Sequence, residues 1–192
     1  MNAYLKNKPT TYTYFPGCSL AASGHENNQS IHRFCDRIEK AHLLKNGVQS
    51  LNGIRFAPYY GCMLAKPPIL SRDKSHYGIL ESTLKSLGAD PVSWPHFAKC
   101  CGTYLSVAKP ASAAKVVDQI MSSAVAAGAE CLVTACAMCH LNLEIRCTLD
   151  IQIPTFHFSE LLCLAFGVDD HARWFQRHIV DPEPLLRQRQ LI

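Results

Sequence analysis

Two adjacent cysteines followed by a glycine, Cys100-Cys101-Gly102, constrain this chain more than any other feature. A disulfide between neighbours is strained, because consecutive Cα atoms lie about 3.8 Å apart whereas an unstrained bridge prefers roughly 5.5 Å. One metal ion is also an awkward target for both thiolates, since successive side chains on extended backbone point to opposite sides. A cluster of several irons offers several corners, so neighbouring thiolates can bind different irons, and the glycine lets the backbone approach closely. The pair reads as the hub of an iron–sulfur site if the fold delivers other cysteines to it.

The punctuation of the chain predicts how it does so. Tyr12 to Phe15 is aromatic and β-prone and breaks at Pro16-Gly17-Cys18; Ser30 to Leu44 carries Ile31, Phe34, Cys35, Ile38 and Ala41 at helical spacing. Ile54 to Tyr59 reads as a strand followed by Gly61-Cys62, and Ser75 to Leu87 as a helix with Gly88 at its C-cap. Val92 to Trp94 reads as a short strand before the cysteine pair. Pro110 suits the first turn of a helix to Ala127 that buries Val116, Val117, Ile120, Met121, Ala124 and Val125. Cys131 to Ala135 reads as a buried strand ending in Cys136-Ala137-Met138-Cys139, His140 to Leu149 as helix, and Thr155 to Phe158 as extended. Ser159 is placed to cap a last helix to Phe166, and the tail from Asp181 has little to bury.

Alternating strands and helices predict an α/β fold: a small, Rossmann-like parallel sheet covered by helices on both faces. Ligands in such sheets collect at the carboxyl ends of the strands. Cys62, Cys100, Cys101, Cys136 and Cys139 all lie just beyond the ends of three predicted strands, so five thiols converge on one edge. Zinc is the competing metal, but a structural zinc takes four ligands, typically from paired C-x-x-C units. A redox dithiol at Cys136 and Cys139 leaves the other three without a purpose.

Composition narrows the function classes. Of 192 residues, 48% are hydrophobic and 18% charged, which fits a compact domain with surface committed to partners. The formal charge of +4 is spread along the chain, so no nucleic-acid footprint is visible, and no segment approaches the roughly 20 apolar residues of a membrane span. Ten cysteines without a secretion signal point to a reducing compartment and a cytoplasmic protein.

The order Cys62, Cys100-Cys101-Gly102, Cys136-x-x-Cys139 resembles the cysteine-rich CCG domain found in the B subunit of heterodisulfide reductase and its relatives. Tyr59-Tyr60-Gly61-Cys62, Gly88-Ala89-Asp90, Gly128-Ala129-Glu130, Asn142-Leu143-Glu144 and His157 ahead of Leu161-Leu162 extend the likeness over roughly residues 12–168. The resemblance implies that the five cysteines hold a non-cubane [4Fe-4S]-type cluster. It also implies an oxidoreductase subunit that moves electrons to or from a disulfide, persulfide or carrier-bound sulfur. Its expected partners are a flavin-containing subunit, a ferredoxin-like subunit and a second CCG-domain subunit. The alternative is a zinc-binding or inert-cluster scaffold without catalysis.

Gly17-Cys18-Ser19-Leu20-Ala21 matches Gly61-Cys62-Met63-Leu64-Ala65 at four of five places, as a duplicated unit would. The expected organisation is a truncated first CCG repeat over 1–53, the complete domain over 54–168 and an extension over 169–192. Ala137 and Lys66 stand where the family usually has proline and arginine; neither removes a ligand. Cys18 reads as a sixth ligand, a substrate-facing thiol or a remnant of the lost repeat. Cys35, Cys131, Cys147 and Cys163 read as core. His140, His157, Lys66 and Lys99 lie near the site, where a hydrogen-bonded histidine and a solvated lysine are the commoner outcomes.

Overall fold

The structure is a computed structural model that describes residues 49–62, 78–167 and 171–192. The expected strand at Tyr12 to Phe15, the helix at Ser30 to Leu44, Cys18, Cys35 and Lys66 lie outside the described residues.

Four parallel strands form the sheet: β1 (Arg55–Tyr59), β2 (Asp90–Pro91), β3 (Cys131–Thr134) and β4 (Thr155–His157), in the order β2-β1-β3-β4. Between them run α1 (Ile79–Ser86), α2 (Pro110–Ala126) and α3 (Ala137–Arg146), followed by α4 (Phe158–Ala165), α5 (His171–Phe175) and α6 (Glu183–Gln188). β3 and β4 are buried throughout and β1 from Phe56 on, as parallel strands covered on both faces are, whereas the edge strand β2 stays partly exposed. Phe56, Cys131, Val133 and Phe156 pack against Leu84 of α1, Leu161 and Leu162 of α4, and the C-terminal Phe175, Leu186 and Leu191. Ala57, Tyr59 and Leu132 face the other way, onto Val117, Ile120, Met121 and Ala124 of α2 and Leu143 of α3. Helices thus cover both faces, as expected.

The winding reverses between β1 and β3. The first crossover carries the chain from β1 to β2 on one side; the second brings it back past β1 to β3 on the other. Right-handed crossovers in opposite directions place their helices on opposite faces, which is where α1 and α2 lie. The carboxyl ends of β1 and β3 border the crevice that such a reversal opens.

Three expectations need correction. The second strand is Asp90–Pro91, not Val92 to Trp94. Val92 N–H still donates to the Phe56 carbonyl at 2.9 Å, but continuing the ladder needs an N–H from residue 58, and Pro58 has none. The Pro58 carbonyl instead accepts from the Trp94 indole at 2.9 Å, and Tyr60 N–H donates to the Phe97 carbonyl at 2.8 Å, so the segment tracks β1 without pairing as strand. The third helix starts at Ala137 rather than His140, with Cys136 as its N-cap residue, and stops at Arg146. The last apolar helix is capped from His157, not Ser159: the Glu160 carboxylate reaches back to accept the His157 N–H at 2.7 Å.

The tail also buries more than its composition suggests. Leu186 is fully buried and Leu191 nearly so, both in the core beside Phe56 and Phe156. Trp174 and Phe175 of α5 are buried as well. His178, just beyond α5, is held at Nδ1 by Glu144 of α3 (3.0 Å) and at Nε2 by Glu160 of α4 (3.2 Å). These carboxylates raise the His178 pKa to about 10 against the burial that lowers it, while the histidines draw Glu144 down to about 2. The extension is therefore part of the domain core.

Leu186→Ala is expected to destabilise the chain by about 2–5 kcal/mol in denaturant titration, the usual cost of emptying a fully buried leucine site. A loss below about 0.5 kcal/mol, the range of surface substitutions, would mean that the extension does not pack as described.

Candidate functional site

Each cysteine of the candidate site comes from a turn at the carboxyl edge of the sheet. β1 ends at Tyr59, and Gly61, at φ 64°, turns the chain so that Cys62 faces back over the edge. A Cβ on Gly61 would lie 3.0 Å from Cys139 Sγ, so the absence of a side chain makes room for sulfur. The loop after β2 delivers Cys100 and Cys101, and Gly102, at φ 76°, starts the short 3₁₀ turn Thr103–Leu105. Beyond β3, Cys136 stands at the N-terminus of α3 and Cys139 lies in its first turn.

The structure brings all five predicted cysteines together, and the adjacent pair divides its sulfurs. Cys100 Sγ lies 3.3 Å from Cys62 Sγ, while Cys101 Sγ lies 3.5 Å from Cys139 Sγ. Cys136 joins them from the N-cap of the helix whose first turn carries Cys139. None of the five is in a disulfide. Two neighbours in sequence thus serve opposite halves of one sulfur group.

Polar contacts hold this arrangement from behind. Asn142, one turn into α3, donates from Nδ2 to the Cys101 carbonyl at 2.8 Å and accepts from Ser106 Oγ at 2.6 Å. Thr103 Oγ1 lies 2.9 Å from Cys101 Sγ and donates to the Met138 carbonyl at 3.4 Å. Gly102 N–H points at Cys100 Sγ at 3.4 Å. Beneath the group, the buried Tyr59 hydroxyl donates to the Lys99 carbonyl. Burial, and then the sulfurs of Cys139, Cys101, Cys100 and Cys62, push its pKa far up, so the phenol stays neutral.

The thiols share protons unequally. The Cys139 side chain beside them lowers the Cys101 and Cys136 thiols to about 6 each, and those two neighbours in turn raise Cys139. The Cys139 and Met138 N–H groups at the start of α3 add to the effect at Cys136, as a helix N-terminus does for an anion. Burial moves Cys62 upward.

Thr103 and Ser106 carry no mark of the site in the sequence, whereas Tyr59 and Asn142 stand in segments that carry the family likeness. Asn142 has a signal, since it lies one helical turn beyond Cys139 and faces the same edge. Of the two histidines, His140 lies against Glu144 and His178, and His157 Nδ1 is 2.7 Å from Ser159 Oγ. Lys99 Nζ donates to Gln119 Oε1 at 2.6 Å, on the surface. Cys131 and Cys163 are buried in the core and Cys147 is half-buried, as expected of packing cysteines.

The donor set fits an iron–sulfur group. Five unbridged thiols from three loops meet around a glycine that leaves space beside Cys139 Sγ, and among the described residues no carboxylate or imidazole contacts these sulfurs. Soft thiolate donors select iron–sulfur clusters, zinc or copper(I), and five of them in two groups exceed what one tetrahedral ion can use.

In the reduced, metal-free chain, Cys136 is expected to be alkylated at pH 7 roughly thirty times faster than an ordinary cysteine with a pKa near 8.5, if thiolate fraction sets the rate. A thiol held at about 6 is mostly thiolate at pH 7, so its rate should fall as pH drops from 7 to 5. Mass spectrometry of iodoacetamide-labelled peptides reads this, and a rate that climbs only above pH 8 would refute the proton sharing.

Residues 56–144 match the family model described as CCG, cysteine-rich domain. The chain is 28% identical to the 8-methylmenaquinol:fumarate reductase membrane anchor subunit of Wolinella succinogenes, over 74% of this chain and 54% of that protein. It is 29% identical to the B subunit of the ferredoxin:CoB-CoM heterodisulfide reductase of Methanosarcina mazei, over 65% of this chain and 45% of the relative. With the B subunit of the ferredoxin/F(420)H(2)-dependent CoB-CoM heterodisulfide reductase of Methanosarcina acetivorans it shares 26% identity, over 86% and 60%. The chain spans about half the length of the curated relatives it matches. All five clustered cysteines fall within residues 56–144, the segment that matches the CCG cysteine-rich domain model.

Proposed function

We propose that Cys62, Cys100, Cys101, Cys136 and Cys139 bind one non-cubane [4Fe-4S]-type cluster, and that the chain is an electron-transferring subunit of a heterodisulfide-reductase-like complex acting on a disulfide, persulfide or carrier-bound sulfur. The observation that carries this reading is the division of the adjacent pair, Cys100 toward Cys62 and Cys101 toward Cys139. Thiolates split in this way suit an inorganic core with two ends, and the relatives named as heterodisulfide reductase subunits support sulfur redox chemistry. When bound, such a cluster supplies one-electron transfer and an iron at which substrate sulfur can be held.

The chain's own residues have definable tasks. The start of α3 directs its positive end at Cys136 and Cys139, which offsets part of the negative charge that thiolate ligands carry. Tyr59 stays protonated and ties Lys99, next to the cysteine pair, to the end of β1. Asn142 and Ser106 fix the Cys101 backbone, so the pair cannot swing away from the edge. On the segment that follows the cysteine pair Tyr104 is 77% exposed and Val107 95%, and Leu141 and Ile145 are exposed on α3. Exposed apolar side chains on the two segments that carry site cysteines suit a protein partner, in keeping with a flavin-containing, ferredoxin-like or second CCG-domain subunit.

The relative named as a membrane anchor subunit acts with 8-methylmenaquinol and fumarate by its name, so the domain alone does not select a sulfur substrate. Among the described residues no helix is long and apolar enough to cross a membrane. A cytoplasmic location is part of the proposal.

Anaerobic isolation is expected to give a brown protein with about four irons and four acid-labile sulfides per chain. Cys101→Ser should lose most of both, and Val107→Asp should keep both while weakening association with the electron-donating subunit. A colourless chain holding zinc on its cysteines would support the scaffold alternative instead.

A further inference from the structure

The side chains that fasten the extension to α3 and α4 form a second constellation, on imidazole and carboxylate rather than thiol. His140 lies on α3 and Glu144 one turn further on, Glu160 lies in the first turn of α4, and His178 follows α5. One donor atom from each of His140, Glu160 and His178 falls within 4.8 Å of the other two. Their side chains are 12%, 1% and 3% exposed, so only His140 opens toward solvent.

His178 and Glu160 are each held by a contact on their outer side. His178 Nδ1 faces Glu144 Oε1 at 3.0 Å, which leaves Nε2 toward Glu160 Oε1 and the shared centre. Glu144 is itself fixed, because its Oε2 accepts the Ile179 N–H at 3.0 Å. Glu160 Oε2 accepts the His157 N–H at 2.7 Å, which leaves Oε1 turned inward. One atom of the His178 ring and one of the Glu160 carboxylate are thus held from outside while the other points to a common place. This is the division by which outer carboxylates and backbone groups orient metal ligands.

Charge points the same way. Two buried carboxylates, Glu144 and Glu160, face the two imidazoles, so a cation at the shared centre meets two negative groups. A divalent ion in place of the His178 Nε2 proton brings the balance of the four groups to zero, with both imidazoles neutral. Two nitrogens and one carboxylate oxygen, with no thiol, suit zinc and its divalent neighbours.

We propose that His140, Glu160 and His178 bind one divalent transition-metal ion of the zinc type, with Glu144 as the outer carboxylate that orients His178. The ion displaces the Nε2 proton of His178 to solvent and joins α3, α4 and the C-terminal extension at one point. This site does not depend on the cysteines holding iron.

The test uses the full chain, isolated anaerobically and assayed for iron and sulfide in the same sample, with Co²⁺ and Zn²⁺ as probes. One equivalent of Co²⁺ should bind with the weak visible bands of nitrogen and oxygen ligation and without thiolate-to-cobalt charge transfer. Zn²⁺ should compete for it and raise the thermal unfolding midpoint. Glu160→Gln and His140→Gln should abolish stoichiometric binding, and Glu144→Gln should weaken it about 10–100-fold. His140→Gln sits at the rim and removes no buried carboxylate, so it reports even if the Glu160 variant does not fold. Absence of an equivalent with nitrogen and oxygen ligation in the wild-type chain, or binding unchanged in His140→Gln, would overturn the proposal and leave His178 as a protonated bridge between two carboxylates. Iron and sulfide content reports separately on the cysteines, so failure of either site is told apart from failure of the other.

Discussion

The geometry of the sulfur group rests on the reversal of winding between β1 and β3. Parallel strands all end at the same edge, and a reversal parts the loops that leave two neighbouring strands, opening a crevice between them. Cys62 enters from one side of that crevice and Cys136 with Cys139 from the other, while the loop after β2 carries Cys100 and Cys101. No single loop could place five thiols around one point, because an extended backbone alternates its side chains and a helix returns only every third or fourth. Three loops ending at one edge solve this with short segments.

Much of this is legible in the sequence because the signals are strong and local. The run at β1, the proline and glycine bounding α2, and the buried run of β3 each specify an element without help from the rest of the chain. The five cysteines can be placed together because parallel topology fixes which end of each strand they follow. What cannot be read depends on partners distant in sequence. Val92 to Trp94 has the composition of a strand, and only the proline opposite it, at position 58, withholds the N–H it needs. Tyr59 reads as one more apolar strand residue, and only the fold brings the Lys99 carbonyl within its reach.

The C-terminal extension shows the same limit. Its prolines and charges read as a surface tail, yet Leu186 and Leu191 fill the core beside β1 and β4, and His178 bridges two helices. Glu144 and Glu160, two acidic residues in otherwise apolar helix faces, are the signal that something basic has to reach them. α3 connects the two constellations: its first turn carries Cys136 and Cys139, and its next two carry Asn142 and Glu144. The helix that presents sulfur at one end is thus anchored by the extension further along.

X-ray absorption at the iron and zinc edges of the anaerobically isolated chain tests the central claim most directly. The account predicts iron surrounded by sulfur with a second iron close by, and any zinc surrounded by nitrogen and oxygen. Zinc in an all-sulfur shell, with iron absent, would contradict it.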